Sequence, residues 1–393
     1  MKELVIIGAG ASGMMAGIMA SRQGARVTVL ETNERPGRKL AATGNGRCNF
    51  TNVRMDPGAY RGTDPSFAWK VLERFSVSDT LRFFTELGIY SENKEGRMYP
   101  RSMQAQSLVD VMRMELQALG AKLKTRERVT AIVPGRKPRF TVHTEGWHYP
   151  ADAVILACGS CASQIAGSTR DGYELAKKLG HRIVPPLPAL TGLVCEGLPF
   201  SRWAGVRQAG RITLLIDEEP CFDDSGELQL TEYGISGIPA FNVSRYAARA
   251  LKDGKQVCAV LDFFPEFTIE GLRSFLQTLR QHTPYKTDRQ LLTGLFPEKL
   301  ADLLIRQQDW LLAIKQLPLS VKGVLSFSHA QVCSGGVMTS ELDPASMESL
   351  LCPGLYFCGE LVDIDGLCGG YNLQWAWSSG ALAGLAQKDH SAS

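Results

Sequence analysis

The stretch Leu4-Val5-Ile6-Ile7-Gly8-Ala9-Gly10-Ala11-Ser12-Gly13 decides the fold. Leu4 to Ile7 is a short apolar run of the kind that fills a buried parallel strand. The glycines that follow have the spacing G-x-G-x-x-G. Met14 to Arg22 then reads as a helix, and Arg26 to Leu30 as a second strand ending at Glu31. In that order each residue type has a physical task. Gly8 permits a tight turn off the strand, Gly10 lets a pyrophosphate approach the backbone, and Gly13 lets the helix pack closely on the sheet. The helix's first-turn N–H groups and its dipole favour an anion there. Glu31 is placed to accept hydrogen bonds from the ribose of an adenosine, and its charge disfavours a 2′-phosphate. A glycine-rich bend in an ordinary α/β domain leaves the strand, helix and acid at these distances unexplained.

The bulk composition narrows the class. With 393 residues, two or three domains are expected. Hydrophobic content of 44% and charged content of 21% describe a globular enzyme. A net charge of +3 is too mild for a dense basic face, so no nucleic-acid partner is expected. No membrane span is expected either. The apolar opening resembles an export signal at first sight, but Glu3 precedes it and glycines interrupt it, so a cytoplasmic location is expected. The ten cysteines form no regular framework and are read as reduced thiols. With no second C-x-x-C and no suitably spaced His pair, no metal site is expected.

After Glu31 the chain is dense in glycine, amides and cations from Thr32 to Asn52. Three Asn, two Gly and two Thr fall within residues 43–52. A loop of this composition makes little core of its own and suits a polar cofactor better than a solvated connector.

At this point the chain resembles a known family. Gly8 to Gly13, Glu31, Gly37-Arg38-Lys39 and Gly44-Asn45-Gly46-Arg47-Cys48-Asn49 are similar to the HI0933-like FAD-binding proteins. Members are often described as aminoacetone-oxidase-like or as NAD(P)/FAD-dependent oxidoreductases, and bile-acid enoyl reductases look like relatives. Further likeness lies in Gly96 to Pro100, in the strand Ala153 to Ala157 closing at Cys158-Gly159-Ser160, and in Tyr233 to Ala240. It continues through Gln331 to Val337, Ser346 to Ser349, and Gly354 to Gln374. The resemblance implies FAD, with NAD(P)H as a transient electron donor, and a small-molecule substrate. Motif and resemblance together name the cofactor-binding set: Gly8, Gly10, Ala11, Ser12, Gly13, Glu31, Arg38, Lys39, Thr43, Gly44, Asn45, Gly46, Asn49, Val129, Gly159, Gly359, Glu360, Gly370, Tyr371, Asn372 and Leu373. Val129 is included because the family's matching backbone meets the adenine.

The remaining elements are read from periodicity. Residues 65–87 give a helix or helix pair, 102–119 a helix, Val129 to Val133 a strand, and 140–150 a hairpin turning at Glu145-Gly146. Residues 170–180 are helical, and Ile183 to Pro188 is a proline-rich exit. Short strand-like runs follow at 211–216, 227–230 and 257–261, with helices at 241–251 and 268–316. Val324 to Val332 is read as a return to the sheet. The expected class is α/β: a Rossmann-like, glutathione-reductase-like FAD-binding domain over 1–187 and 325–393. It is interrupted by an insertion, 188–324, that is β-rich to 264 and helical from 265, and is expected to act as a cap with a role in substrate choice.

At the carboxy end, Gly369-Gly370-Tyr371-Asn372 opens a helix over 375–386. Its N–H groups from Tyr371 to Leu373 suit the flavin's pyrimidine edge, where negative charge builds on reduction. Cys158-Gly159-Ser160-Cys161 has C-x-x-C spacing but opens no thioredoxin-like helix, so both thiols are read as unpaired small residues. No catalytic constellation is evident. Tyr371, His329 and Cys48 are candidate proton donors by residue type alone. The expected activity is hydride transfer through flavin N5 to an activated C=C bond. The alternatives are an O₂-dependent amine or aminoketone oxidase and an RNA-modifying or redox-sensing flavoprotein.

Overall fold

The computed structural model describes residues 1–388. The opening apolar run forms strand β1 (Glu3–Ile7), with its last four residues buried. Helix α1 (Ala11–Arg22) begins three residues earlier than periodicity suggests, because extended Gly10 already serves as its cap. Strand β2 (Arg26–Glu31) returns beside β1. With β3 (Lys122–Thr125), β4 (Ala153–Leu156) and β5 (Leu355–Phe357) these make a five-stranded sheet in the order β5-β4-β1-β2-β3. Every pairing is parallel, and Ile6 sits between Ile155 and Val29. A parallel sheet covered on both faces needs continuous apolar strands, which explains why β1 and β4 do not alternate.

Helix α2 (Tyr371–Leu385) lies against α1. The contact is nearly backbone on backbone. A Cβ at Gly380 would stand 2.4 Å from the Ser12 carbonyl oxygen, and one at Gly384 would stand 2.5 Å from that of Ala16. The residues 65–87 resolve into two helices, Pro65–Leu72 and Val77–Glu86. They are split where Ser76 and Asp79 form a capping box. The hairpin forms as expected from Phe140–Thr144 and His148–Ala151.

The chain divides into two compact units, Met1–Pro186 with Val332–Ser393, and Leu187–Gln331. The second contains a closed six-stranded barrel. Its strands, in chain order, are Leu193–Glu196, Arg207–Ile216, Glu219–Thr231, Gly234–Ser236, Val257–Asp262 and Leu317–Val324. The last of these corrects the expectation of helix from 265 to 324. The helices are Ile269–His282, Asp288–Leu291, Glu298–Leu304 and Trp310–Lys315, after which the chain becomes strand. Leu317, Leu319 and Val321 are buried alternately, a period of two that the preceding helical pattern masks. The proline-rich exit is also strand, Ile183–Ala189. The return to sheet expected at Val324 to Val332 comes later, at Val332–Val337, after a short turn at Phe327–His329.

One buried cluster in the first unit has the composition of a hydrolytic triad without its setting. His181 Nε2 lies 2.8 Å from Ser349 Oγ, and its Nδ1 lies 3.1 Å from Glu341 Oε2. All three side chains are buried, and Ser349 Oγ also accepts from the Leu351 and Cys352 N–H groups. The ring packs edge-on against Phe357 of β5 at 4.6 Å. The cluster is a strut tying the segment before β5 to residue 181. Burial pushes the His181 pKa below its ordinary value, against the pull of Glu341.

Two outcomes are expected. Gly13→Ala should destabilise the protein by about 1–3 kcal/mol or more, because its Cβ would stand 1.9 Å from the Gly8 carbonyl oxygen. Gly10→Ala, with nothing within 4 Å, meets no clash and should cost about 1 kcal/mol or less, from a poorer helix cap alone. Urea midpoints of the two variants measure the difference. Because the neutral His181 ring is the folded form, its contribution is present above the unfolded value near ~6.5 and is lost as pH falls below it. Thermal midpoints between pH 8 and pH 5 should therefore fall more steeply in the native protein than in His181→Gln.

Candidate cofactor site

The glycines of the opening motif divide by what surrounds them. Gly8 has φ +105°, and a Cβ there would lie 2.4 Å from the Ala157 carbonyl oxygen. Gly8 and Gly13 are thus required by the protein's own packing. Gly10 is different, since its missing side chain would project into open space. That is the geometry of a cradle kept clear for something else. No side chain caps α1, so nothing in the chain's own side chains covers its first-turn donors at Ala11, Ser12 and Gly13.

Glu31, buried at the end of β2, already holds the neighbouring backbone. Its Oε2 accepts from the Ala9 N–H at 2.9 Å. Its Oε1 accepts from the Asn33 N–H and side-chain amide, both at 2.8 Å. Lone pairs remain on a carboxylate so engaged, and the bonds fix its direction. Arg38 reaches the same asparagine, donating to Asn33 Oδ1 at 3.2 Å. Asn33 was not singled out from sequence, where a loop amide carries no distinguishing signal.

The loop after Glu31 contains a short helix, Arg38–Ala41, and a left-handed turn at Gly44 and Asn45. Thr43 Oγ1 donates to the Leu40 carbonyl. Asn49 is notable because its Oδ1 is buried and has no partner, beside the backbone of Gly370. A buried amide oxygen without a donor points to a group that completes it.

The start of α2 is held from several sides. Gly370, at φ +97°, caps the helix without a side chain, and a Cβ there would lie 2.8 Å from the Thr51 carbonyl. Asn52 donates to the Gly369 carbonyl, and Trp377 Nε1 donates to that of Phe50. Asn372 binds Gly366 in both directions, accepting from its N–H and donating to its carbonyl. Its side chain therefore shapes the turn, leaving the backbone at Tyr371, Asn372 and Leu373 as the element facing outward from the helix end. The Tyr371 hydroxyl donates to the Arg54 carbonyl at 3.0 Å, and burial raises its pKa.

A third group joins these segments. Lys39 Nζ lies 2.5 Å from Glu360 Oε2, and Ser160 Oγ donates to the same oxygen at 2.8 Å. Gly359 is next to this pair; its N–H donates to Ser379 Oγ, and a Cβ on it would strike Ser12 Oγ. Gly159 has a positive φ and open space around it. Val129 lies in an open depression shared with Arg128, Asp171, Leu175 and Lys178, two residues after Glu127, whose N–H donates to the Glu31 carbonyl.

Of the candidate donors, Cys48 is buried, and burial pushes its thiol up to about 12, while His329 lies in the other unit with Ser326 and Ser328. Burial likewise pushes Cys158 up to about 12, and its thiol donates to the Ile7 carbonyl. Cys161, read from sequence as an unpaired small residue, is a free thiol, and its Sγ lies 3.6 Å from that of Cys333. Their separation of 172 residues hides that contact from any local pattern. Among the described residues no cluster of three or more metal-ligating side chains occurs, and no helix is long and apolar enough to cross a membrane.

The arrangement is that of a Rossmann-like FAD-binding fold carrying a barrel insertion. The chain belongs to the HI0933-like family, whose Rossmann domain matches residues 2–386. It is 44% identical, over 98% of its length and 99% of the relative's, to a 3-dehydro-bile acid delta(4,6)-reductase of Clostridium scindens. It is 30% identical, over 96% of each chain, to a ribosomal RNA dihydrouridine synthase of Escherichia coli. Among solved structures it resembles the open conformation of a flavocytochrome c3 fumarate reductase. The TM-score is 0.52 at 16% identity, covering 100% of this chain and 79% of that one.

Gly10→Val tests the cradle. At an extended φ of −80° valine is tolerated and its Cβ has no protein atom within 4 Å, so the circular dichroism spectrum should stay close to native. The purified variant should nevertheless lose FAD, measured as flavin released on denaturation per mole of chain.

Proposed function

We propose that this chain is a flavin-dependent oxidoreductase that reduces a carbon–carbon double bond conjugated to a carbonyl, on a small apolar substrate, with NAD(P)H as a transient electron donor. The observation that carries this reading is the 44% identity, end to end, with the C. scindens reductase. That relative's name describes such a bond, since a 3-oxo group conjugates with double bonds at positions 4 and 6.

The residues present fit FAD. Open space at Gly10, the uncapped α1 start and the unpartnered Asn49 Oδ1 are features a bound dinucleotide would complete. When bound, the flavin supplies hydride transfer through N5. The chain's own residues do the rest. The N–H groups of Ala11, Ser12 and Gly13 bind the pyrophosphate, with the α1 dipole adding to them. Glu31, held by Ala9 and Asn33, orients the ribose. Lys39, Arg38, Thr43 and Gly44 to Gly46 would line the phosphate and ribityl side, and Val129 would meet the adenine. Gly159, Gly359 and Glu360 shape the middle of the site. The positive end of α2 at Gly370 to Leu373 favours negative charge on the pyrimidine edge.

A second reading rests on the 30% relatives. A ribosomal RNA dihydrouridine synthase saturates a pyrimidine double bond that is also conjugated to a carbonyl. The two readings share the reaction and differ in substrate size. The net charge of +3 favours the small molecule.

The yellow protein should bleach under anaerobic stopped flow with NADH or NADPH. It should then recover colour faster with a 3-oxo-4,6-dienoic steroid acid than with ribosomal RNA. Recovery with the RNA alone would transfer the assignment to the second reading. Failure to bleach with either nicotinamide, combined with bleaching by an aminoketone and recovery in O₂, would make the protein an oxidase.

A further inference from the structure

Two cysteines of the first unit stand side by side although 172 residues separate them in the chain. Cys161 lies in the segment between β4 and the helix Asp171–Lys178, where residues 157–170 carry no helix or strand. Cys333 is the second residue of the strand Val332–Val337 and is buried. The two sulfurs stand 3.6 Å apart, in van der Waals contact, and both are free thiols. A disulfide requires them to close by roughly 1.6 Å, to ~2.05 Å. An irregular segment on one side can supply that movement more readily than two regular elements.

We infer that Cys161 and Cys333 form a reversible dithiol–disulfide couple, with Cys161 as the attacking thiol and Cys333 as the resolving one, oxidised by a low-molecular-weight disulfide. The asymmetry between them follows from their surroundings. Cys161 is half-buried, so a small oxidant can reach it, whereas Cys333 is closed in. The Cys333 thiol donating to Cys161, with help from the charges of Arg170 and Lys39 and against partial burial, brings the Cys161 pKa down to about 7. The same contact, burial and the neighbouring Cys161 charge push Cys333 up. The buried Tyr173 hydroxyl borders both sulfurs and is itself pushed up by burial. Cys158 is excluded from the couple despite its C-x-x-C spacing, because desolvation pushes its thiol up to about 12 and that thiol bonds the Ile7 carbonyl.

The chemistry balances in two displacements. The Cys161 thiolate attacks one sulfur of the oxidant RSSR, forming a mixed disulfide and expelling RS⁻. Cys333 loses its proton to the medium and attacks Cys161 Sγ, forming the protein disulfide and expelling the second RS⁻. Two electrons pass from the thiol pair to RSSR, which leaves as two thiols. The new bond pins the segment that carries Ser160 and so bears on the Ser160–Glu360–Lys39 group.

The test uses the purified full-length holoprotein incubated with glutathione disulfide. Its readouts are thiol titration and mass-spectrometric peptide mapping, neither of which depends on turnover. The expected result is loss of two of the ten thiols, a cross-linked peptide joining residues 161 and 333, and full reversal by dithiothreitol. Cys333→Ser should stop at one glutathionyl adduct on Cys161. Cys161→Ser should slow thiol loss about tenfold or more, while Cys352→Ser should behave as native. A native map joining Cys158 to Cys161, a persistent adduct on Cys161 without cross-link, or unchanged thiols would each overturn the inference. The native map decides the matter even if a serine variant fails to fold.

Discussion

The contact between the Gly8 carbonyl and the backbone at Gly13 governs this protein. A single carbon added at Gly13 would sit 1.9 Å from that oxygen, so α1 starts as close to the sheet as a peptide chain allows. The closeness is propagated. With α1 seated on β1, its outer face meets α2 at Gly380 and Gly384, again without side chains between the backbones. Two helix starts are thereby fixed with respect to one sheet. Each has backbone donors that no side chain of its own cap satisfies. A ligand long enough to reach from one to the other would have both its charged stretches met by backbone rather than by flexible side chains.

Polar side chains around these helix starts mainly hold the protein to itself. Glu31 binds Ala9 and Asn33, Asn372 binds Gly366, and Trp377 binds Phe50. Their role is to fix where backbone donors stand, which is how a site made of peptide groups acquires its precision. Lys39 and Glu360 act similarly, since their ion pair joins residues 321 positions apart and draws in Ser160. The His181–Glu341–Ser349 strut shows the reverse lesson. Residue types associated with catalysis can serve packing alone when burial denies them a substrate.

Much of the first unit was legible in the sequence because its signals are local. The strand, glycine turn, helix and acid follow one another within 31 residues, and the hairpin at 140–151 announces its turn. The inserted region was only partly legible. Its β-character showed, but barrel closure depends on Leu317–Val324, whose alternation is overlaid by the helical run before it. Glycine roles were legible as a motif and not individually. That Gly13 is needed for packing while Gly10 faces open space depends on neighbours far along the chain. The C-x-x-C spacing drew attention to Cys158, whereas the sulfur facing Cys161 belongs to Cys333, in a strand that contains no cysteine pattern.

Closure of the barrel has a consequence for how this architecture diversifies. Its first strand, Leu193–Glu196, pairs antiparallel with its last, Leu317–Val324, and Leu193 stands opposite Val324. The inserted segment therefore starts and finishes at adjacent points, like a cassette with both connectors on one edge. Such a module can be lengthened, trimmed or exchanged for another without altering the register of the parallel strands that host it.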